Sequence, residues 1–372
     1  MFPDFNNSIY NVSSTLQKYL GLDNGAVKIA QLETALNKQY KNVILLVVDG
    51  LGMSVLENHL PAKSFLWRNM AQRITSVFPA TTTCGTTTLI TAEQPAEHGW
   101  FAWEMNFAGR IIELFKNKDR YSGEQMPDGY VRNKLPTVRF WEKKGLRKDV
   151  TCYALFPDKI KMKSSGDSYF SDLPDMGSKL SELCRQEGRK FIYAYFSELD
   201  SVMHDNGATS RKAKKLVRRI NKEFEQFITG RDDTLLIITA DHSQCDIKGF
   251  VDIYKDKEIT QCMEHPFSCE PRATAFYIKK GMHEQFKNAF KKYEDDFTLF
   301  ETKELIDKGV FGTFKDDNYK KYLGDYIAIG KDTNKFLLFA ENRGKHGSAR
   351  KTYKGHHTGM TKEEMAVPLI IV

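Results

Sequence analysis

Val43-Ile44-Leu45-Leu46-Val47-Val48-Asp49-Gly50 is the stretch on which the reading of this chain turns. Six apolar residues in a row, four of them β-branched, predict a strand buried on both faces, the pattern of a parallel sheet covered by helices. Asp49 stands at its carboxyl end, and Gly50 and Gly52 permit a sharp exit. Open α/β sheets bind ligands outside the carboxyl ends of their strands, so an acid delivered there is a site candidate. Taken alone, it reads more readily as a helix cap.

The same construction recurs. Residues 191–196 (Phe-Ile-Tyr-Ala-Tyr-Phe) run into Ser197-Glu198-Leu199-Asp200, with His204 four residues on. Residues 234–239 end in Ala240-Asp241-His242, and Gly355-His356-His357-Thr358-Gly359 precedes a last apolar run, 366–372. Carboxylates and imidazoles from distant segments thus gather at one edge of a predicted sheet. Asp49, Asp200, His204, Asp241, His242 and His357 mix imidazole nitrogen with carboxylate oxygen, a donor set that suits zinc and, less well, manganese. Divided as Asp49, Asp241 and His242 on one ion and Asp200, His204 and His357 on another, they give each ion three protein ligands and an open position. An open position marks a catalytic metal.

Composition sets the frame. A chain of 372 residues has room for one large α/β domain with insertions or for two domains. The formal charge of +7 and the pI near 8.8 fit an anionic substrate and do not by themselves call for nucleic acid. Six cysteines without a CxxC pair suggest neither a thiolate zinc site nor a disulfide framework. The first residues lack a signal-peptide pattern, and no run approaches the ~18 apolar residues of a membrane span. The expectation is a soluble, reduced, cytoplasmic protein.

Along the chain, residues 8–40 predict one or two short helices with a cap near Ser14-Thr15, and 53–70 a helix interrupted by Pro61. After a short strand at 73–77 comes the most unusual segment, residues 78–92, with seven threonines in fifteen residues. β-branched propensity favours a strand there. Pro79 followed by threonines suits instead a helix start, where hydroxyls cap free amides, the dipole favours an anion, and a hydroxyl beside a divalent cation becomes a nucleophile. His98, next to Gly99, reads as a turn histidine bonded to backbone rather than as a ligand.

Residues 106–133 read as an irregular excursion over the site mouth, 136–145 as helix, 149–156 as strand and 176–187 as helix. Residues 210–228 carry Leu216, Ile220, Phe224 and Phe227 at helical spacing. The cations of that helix (Arg211, Lys212, Lys214, Lys215, Arg218, Arg219) are read as a solvated face, with nucleic acid a secondary possibility. Residues 270–345 alternate strand and helix patterns: strands at 273–278, 297–301, 326–329 and 335–340, helices at 282–293 and 302–308. They contain no clustered acids or histidines. The division expected is a catalytic domain, 1–269 with 346–372, and an inserted α+β cap, 270–345, on a mostly parallel central sheet sandwiched by helices.

These motifs resemble the alkaline phosphatase superfamily, most closely its nucleotide pyrophosphatase and type I phosphodiesterase branch. The likeness rests on the Val-Val-Asp-Gly strand end, Phe78-Pro79 with Thr82 and the downstream Pro95-Ala96-Glu97-His98-Gly99, Asp200 with His204, Thr239-Ala240-Asp241-His242, and the late Gly355-His356-His357. It covers 41–100, 190–245 and 350–372. The resemblance implies a two-metal phosphoric ester hydrolase with Thr82 as metal-bound nucleophile, a phosphothreonine intermediate, and the six residues above as the ligands of two zinc ions. Two departures from the branch are Thr81, where it usually carries Lys, and Gly85, where it usually carries Asn. The expected substrate is a small phosphodiester or nucleotide. A phosphomonoesterase, a phosphonate or sulfate ester hydrolase, a metal-dependent phosphomutase, and a non-catalytic phospho-ligand binder are the alternatives. No membrane partner is expected.

Overall fold

The computed structural model describes residues 1–160, 167–337 and 353–372. Two sheets organise them. The strand Asn42–Val48, buried at every position, lies at the centre of a seven-stranded sheet. Its order is Met70–Thr75, Ala366–Ile371, Thr234–Thr239, Asn42–Val48, Arg189–Phe196, Val150–Pro157, Asp167–Phe170. The pairings through Asn42–Val48 are parallel, and Ala366–Ile371 runs antiparallel to both its neighbours. Parallel strands need crossovers, and the helices Met53–His59, Leu173–Arg185 and Arg211–Ile228 supply cover with their apolar stripes turned inward. None of the described helices is long and apolar enough to cross a membrane.

The second sheet is also seven-stranded and antiparallel: Phe297–Glu301, Tyr326–Gly330, Ala273–Ile278, Met263–Glu270, Glu104–Phe107, Arg110–Glu113, Lys118–Asp119. Its side chains alternate between two cores. Ala273, Ala275 and Tyr277 join Phe78, Phe101 and Phe311 on the face toward the first sheet, while Phe276 and Ile278 pack with Phe286 and Phe290 on the other.

This sheet departs from expectation in two places. Residues 106–133 are not irregular throughout: Glu104–Phe107 and Arg110–Glu113 form a hairpin closed by Ala108 and Gly109, both at positive φ (55° and 90°). Alanine there hides the usual turn signature. Met263–Glu270 escapes a sequence reading because Pro266 lies within it and its register slips around His265 and Ser268. The second sheet thus draws on strands within 104–119 and on Met263–Glu270 as well as on three strands from the segment expected as the cap, Ala273–Ile278, Phe297–Glu301 and Tyr326–Gly330.

Other differences are local. The first helix, Ile9–Tyr19, starts before Ser14-Thr15, with Ser8 as its cap and Asn11 Oδ1 accepting the Ser8 amide at 2.9 Å. Residues 136–145 form only a short turn, Phe140–Glu142, because Phe140 and Trp141 pack on Phe191 and Tyr193 instead of on a helix face. The strand expected at 335–340 is seen as Lys335–Leu337, the rest lying outside the described residues.

Candidate metal centre

Every candidate acid and imidazole lies at or just beyond the carboxyl edge of the first sheet. Asp49 follows the central strand, and Gly50, at φ +75°, turns the chain away immediately. Asp200 and His204 sit one turn apart on the helix Glu198–Asn206, which leaves the neighbouring strand. Asp241 and His242 follow Thr234–Thr239 on the other side. His357 arrives from the far end of the chain, beside the two-residue bridge between Cys245–Asp246 and Gly355–His356.

The threonine-rich segment is a helix, Thr82–Thr91, with Thr81 as N-cap. Local propensity loses because hydroxyls are satisfied inside the helix or on its neighbours. Thr86 and Thr91 bond the carbonyls of Thr82 and Thr87, and Thr88 bonds His98. Burial separates the three threonines at the start. Thr81 is buried and donates to Glu270 at 2.8 Å, and Thr83 is fully buried with an unpartnered hydroxyl. Thr82 alone of the three is half-exposed, its Oγ1 3.1 Å from His242 Nε2. Gly85 is small for a local reason: a Cβ there would stand 2.8 Å from the Asp241 carbonyl oxygen. His98 is a buried structural residue, accepting the Trp100 amide at 3.0 Å on Nδ1, and burial lowers its pKa to about 3.

The imidazoles are aimed from behind. His204 Nδ1 donates to the Gly355 carbonyl (2.9 Å), His357 Nδ1 to that of Ala80 (2.8 Å) and His242 Nδ1 to that of Ser243 (3.1 Å). Each Nε2 therefore presents a lone pair to the centre. There His242 Nε2 meets Asp49 Oδ1 at 3.3 Å and Asp241 Oδ2 at 3.5 Å, and Asp200 meets His204 Nε2 at 3.4 Å and His357 Nε2 at 3.8 Å. The His242 and His357 rings stack 3.8 Å apart.

Electron pairs of carboxylates and imidazoles thus converge on one another. Asp49 Oδ1 and Asp241 Oδ2 are buried without a hydrogen-bond partner. Burial first, then the neighbouring carboxylates, push the Asp49 carboxyl well up, and Asp241 is raised mainly by its burial. Burial and the adjacent imidazoles push His357 well down. Such a donor set fits divalent cations, which supply the missing positive charge.

Among the described residues, two three-residue groups have donor atoms close enough to hold an ion: Asp200, His204 and His357, and Asp49, Asp200 and His242. The first is the expected triad. In the second, Asp200 takes the place expected for Asp241, so Asp200 stands between the two positions. His356 belongs to neither group. Its ring stacks on Phe336 and its Nδ1 accepts the His357 amide.

Residues the sequence did not single out complete the site. Tyr195 donates to Asp49 and Gln244 to Asp200, while Glu270 receives both Thr81 Oγ1 and the Trp103 amide. Tyr195 carried no signal, being one aromatic in a buried strand. Next to His357, Thr358 is held at φ +98°, an outlying conformation for a β-branched residue, and accepts the Arg272 amide at 3.2 Å. Arg272 itself is fully buried in a two-pronged pair with Glu364 (2.6 and 3.0 Å).

The model of the type I phosphodiesterase / nucleotide pyrophosphatase family matches residues 43–329. Among solved structures, murine ectonucleotide pyrophosphatase / phosphodiesterase 5 superposes with a TM-score of 0.62 at 16% identity, covering 89% of this chain and 87% of that one. That structure is described as an inactive threonine-to-alanine variant in complex with AMP. Phosphonoacetate hydrolase from Sinorhizobium meliloti 1021, in complex with phosphonoformate, superposes with a TM-score of 0.61 at 14% identity, covering 90% of each chain. At such identities the likeness is one of fold. No curated protein matches the sequence.

Proposed function

Because the chain belongs to the type I phosphodiesterase / nucleotide pyrophosphatase family, hydrolases of phosphoric ester bonds that use two divalent metal ions, we propose that it hydrolyses phosphodiesters with Thr82 as nucleophile. The observation that carries this reading is the half-exposed Thr82 hydroxyl on His242 Nε2, at the rim of a cluster whose buried carboxylate oxygens lack partners. The inactive threonine-to-alanine variant of the murine relative is consistent with it. We propose that Asp49, Asp241 and His242 would hold one ion and Asp200, His204 and His357 the other, Asp200 having donor atoms within reach of both groups. The second sheet acts as the cap.

Bound there, two divalent ions, zinc by preference, would neutralise the phosphoryl charge and make a hydroxyl acidic enough to attack at neutral pH. Thr82 sits in the first turn of its helix, where free amides face an incoming anion. Its Oγ attacks phosphorus in line, its hydroxyl proton passing to solvent and the Oγ–P bond forming as the bond to the leaving oxygen breaks, that oxygen taking up a proton from water. Water then cleaves the phosphothreonine, and two inversions leave net retention. His242, fixed through Nδ1 on the Ser243 carbonyl, would present Nε2 to an ion held beside the Thr82 hydroxyl.

Charge supports a diester. Three ligand carboxylates against two divalent ions leave a cage of small positive charge, suited to a monoanion rather than a monoester dianion. Arg272 and Arg110, two cations able in principle to add charge, are held by Glu364 and by Asp119 and Glu124. Trp100, Phe101 and Phe107 are core residues; Trp103, partly exposed beside Phe115, remains as a platform for a flat leaving group. The test is kcat/KM for p-nitrophenyl phosphate, bis-p-nitrophenyl phosphate and thymidine 5′-p-nitrophenyl phosphate on one metal-loaded preparation. The diesters are expected to lead by at least tenfold. A preference for the monoester overturns the reading.

A further inference from the structure

The helix Arg211–Ile228 buries Ala213, Leu216, Val217, Ile220, Phe224 and Phe227 and turns the opposite face outward. That face carries Arg211, Lys214, Lys215, Arg218, Arg219 and Lys222, all exposed. Spaced by three and four, they form one stripe about 17 Å long, from the rise of 1.5 Å per residue.

A solvated helix face is ordinarily balanced. Elsewhere on this surface Lys308 pairs with Glu304, Lys303 with Asp307, Lys287 with Glu284 and Lys320 with Asp317. None of the six cations of the stripe makes an ion pair among the described residues. The two acids of the helix lie beyond Lys222: Glu225 is engaged by Arg68 at 3.0 Å, and Glu223 lies against Gly177 of a neighbouring helix. The arrangement opposes helix stability twice. Arg211–Lys215, Lys214–Arg218, Lys215–Arg219 and Arg218–Lys222 set like charges one turn apart, and the first turn, at the positive end of the dipole, holds no acid. Uncompensated local cost of this kind points to an external anion.

The stripe also has a place. The preceding helix bears Asp200 and His204, and Thr209, just before the stripe, donates its amide and hydroxyl to Asp246, which pairs with Gly355 beside the His357 loop. Its first cation, Arg211, thus lies two residues past a contact with the strand pair that leads into the His357 loop. No apolar side chain of the helix remains on the outer face, so nothing is offered to an acyl layer. No aromatic is offered to bases either. What fits is a row of regularly spaced phosphates.

We infer that this face docks a nucleic-acid strand through its backbone, without sequence preference, and leads it toward the metal centre. The docking is separate from catalysis; only the destination of the strand rests on the proposed phosphodiesterase activity. Binding is tested by fluorescence anisotropy of a labelled 20-nucleotide DNA strand across a salt series, on metal-loaded Thr82→Ala protein and on the same protein carrying Arg211→Gln, Lys215→Gln, Arg218→Gln and Lys222→Gln. The fourfold variant is expected to bind at least tenfold more weakly at low salt, with the slope of log K against log salt smaller by about 3. In the otherwise wild-type chain the same four changes should leave turnover of bis-p-nitrophenyl phosphate unchanged. A control carrying Lys303→Gln, Lys308→Gln and Lys320→Gln should keep full affinity. Absence of binding at low salt, equal loss in the control, or tighter binding to phosphatidylglycerol vesicles than to DNA overturns the inference. Loss of ester turnover in every preparation with DNA binding intact would reject the catalytic reading and leave the docking face standing.

Discussion

Two buried charge clusters lie side by side in this molecule and differ in one respect. Arg272 and Glu364 meet in a two-pronged pair, and further bonds hold both: Arg272 also donates to the carbonyls of Lys335 and Lys331, and Glu364 accepts from Gly359 and Thr361. Among the described residues, Asp49, Asp200 and Asp241 crowd together with imidazoles as their only titratable company of opposite potential charge, and two of their oxygens are unpartnered. The first cluster is complete as folded. The second is complete only with cations supplied from outside. The difference separates a device that holds the His357 loop in place from the cluster to which we assign the chemistry.

The largest effect expected tests whether chemistry belongs to the incomplete cluster. Thr82→Ala should lower kcat by about 10⁴-fold or more while two metals per chain remain by elemental analysis. Near-normal turnover in Thr82→Ala, with Thr81→Ala or Thr83→Ala inactive, would move the nucleophile. Next, His357→Ala should reduce bound metal from two ions toward one, whereas His356→Ala, whose ring packs on Phe336, should keep both.

Glu364→Gln attacks the complete cluster. It leaves the buried Arg272 guanidinium unmatched and should cost about 3–5 kcal/mol in denaturant unfolding near pH 7. Burial alone would raise the Glu364 carboxyl, but Arg272 outweighs it and holds the folded value below the ordinary one. The stabilisation is therefore present above the unfolded pKa and is lost as pH falls through the folded value, so the gap between wild type and variant should close in acid.

The incomplete cluster should show the opposite sign. Asp49 is raised in the folded chain, so its favourable term is present below the unfolded pKa of the carboxyl and is lost as pH rises through the folded value. In metal-free protein, Asp49→Asn should stabilise by on the order of 1–3 kcal/mol at pH 8, and the gain should shrink toward pH 4. Adding zinc should reverse the order, since the variant loses a ligand. The smallest change is at the hinge between the clusters. Thr358→Gly relieves a positive φ but loosens the unfolded chain and drops the bond from the Arg272 amide, so stability should shift by about 1 kcal/mol or less. Thr358→Ala keeps the strain without the bond and should be the less stable of the two.

The acids and imidazoles were legible in sequence because each follows a run of apolar residues long enough to be a buried strand, and parallel strands deliver their carboxyl ends to one edge. That argument needs no long-range information beyond the handedness and burial of the sheet. Resemblance to the family supplied Thr82, and the five motifs behind it bring Asp49, Thr82, Asp200, Asp241 and His357 to one edge of the first sheet. Choosing Thr82 over Thr81 and Thr83 on physical grounds required the fold, because the three differ in what they face and not in what they are: Glu270, His242 and a closed core.

The second sheet was half legible. Ala273–Ile278 and Phe297–Glu301 announce themselves by β-branched and aromatic runs, but Glu104–Phe107 and Met263–Glu270 pair across more than 150 positions of chain and hide behind Ala108 at positive φ and Pro266. The central position of Asp200, the donors Tyr195 and Gln244, and the Arg272–Glu364 clamp belong to the same class. Periodicity along a chain determines which residues are buried and at which sheet edge they emerge. Only closure of the tertiary structure decides which buried charge finds an opposite partner and which is left for a metal, because that depends on distances of a few ångströms between segments far apart in sequence.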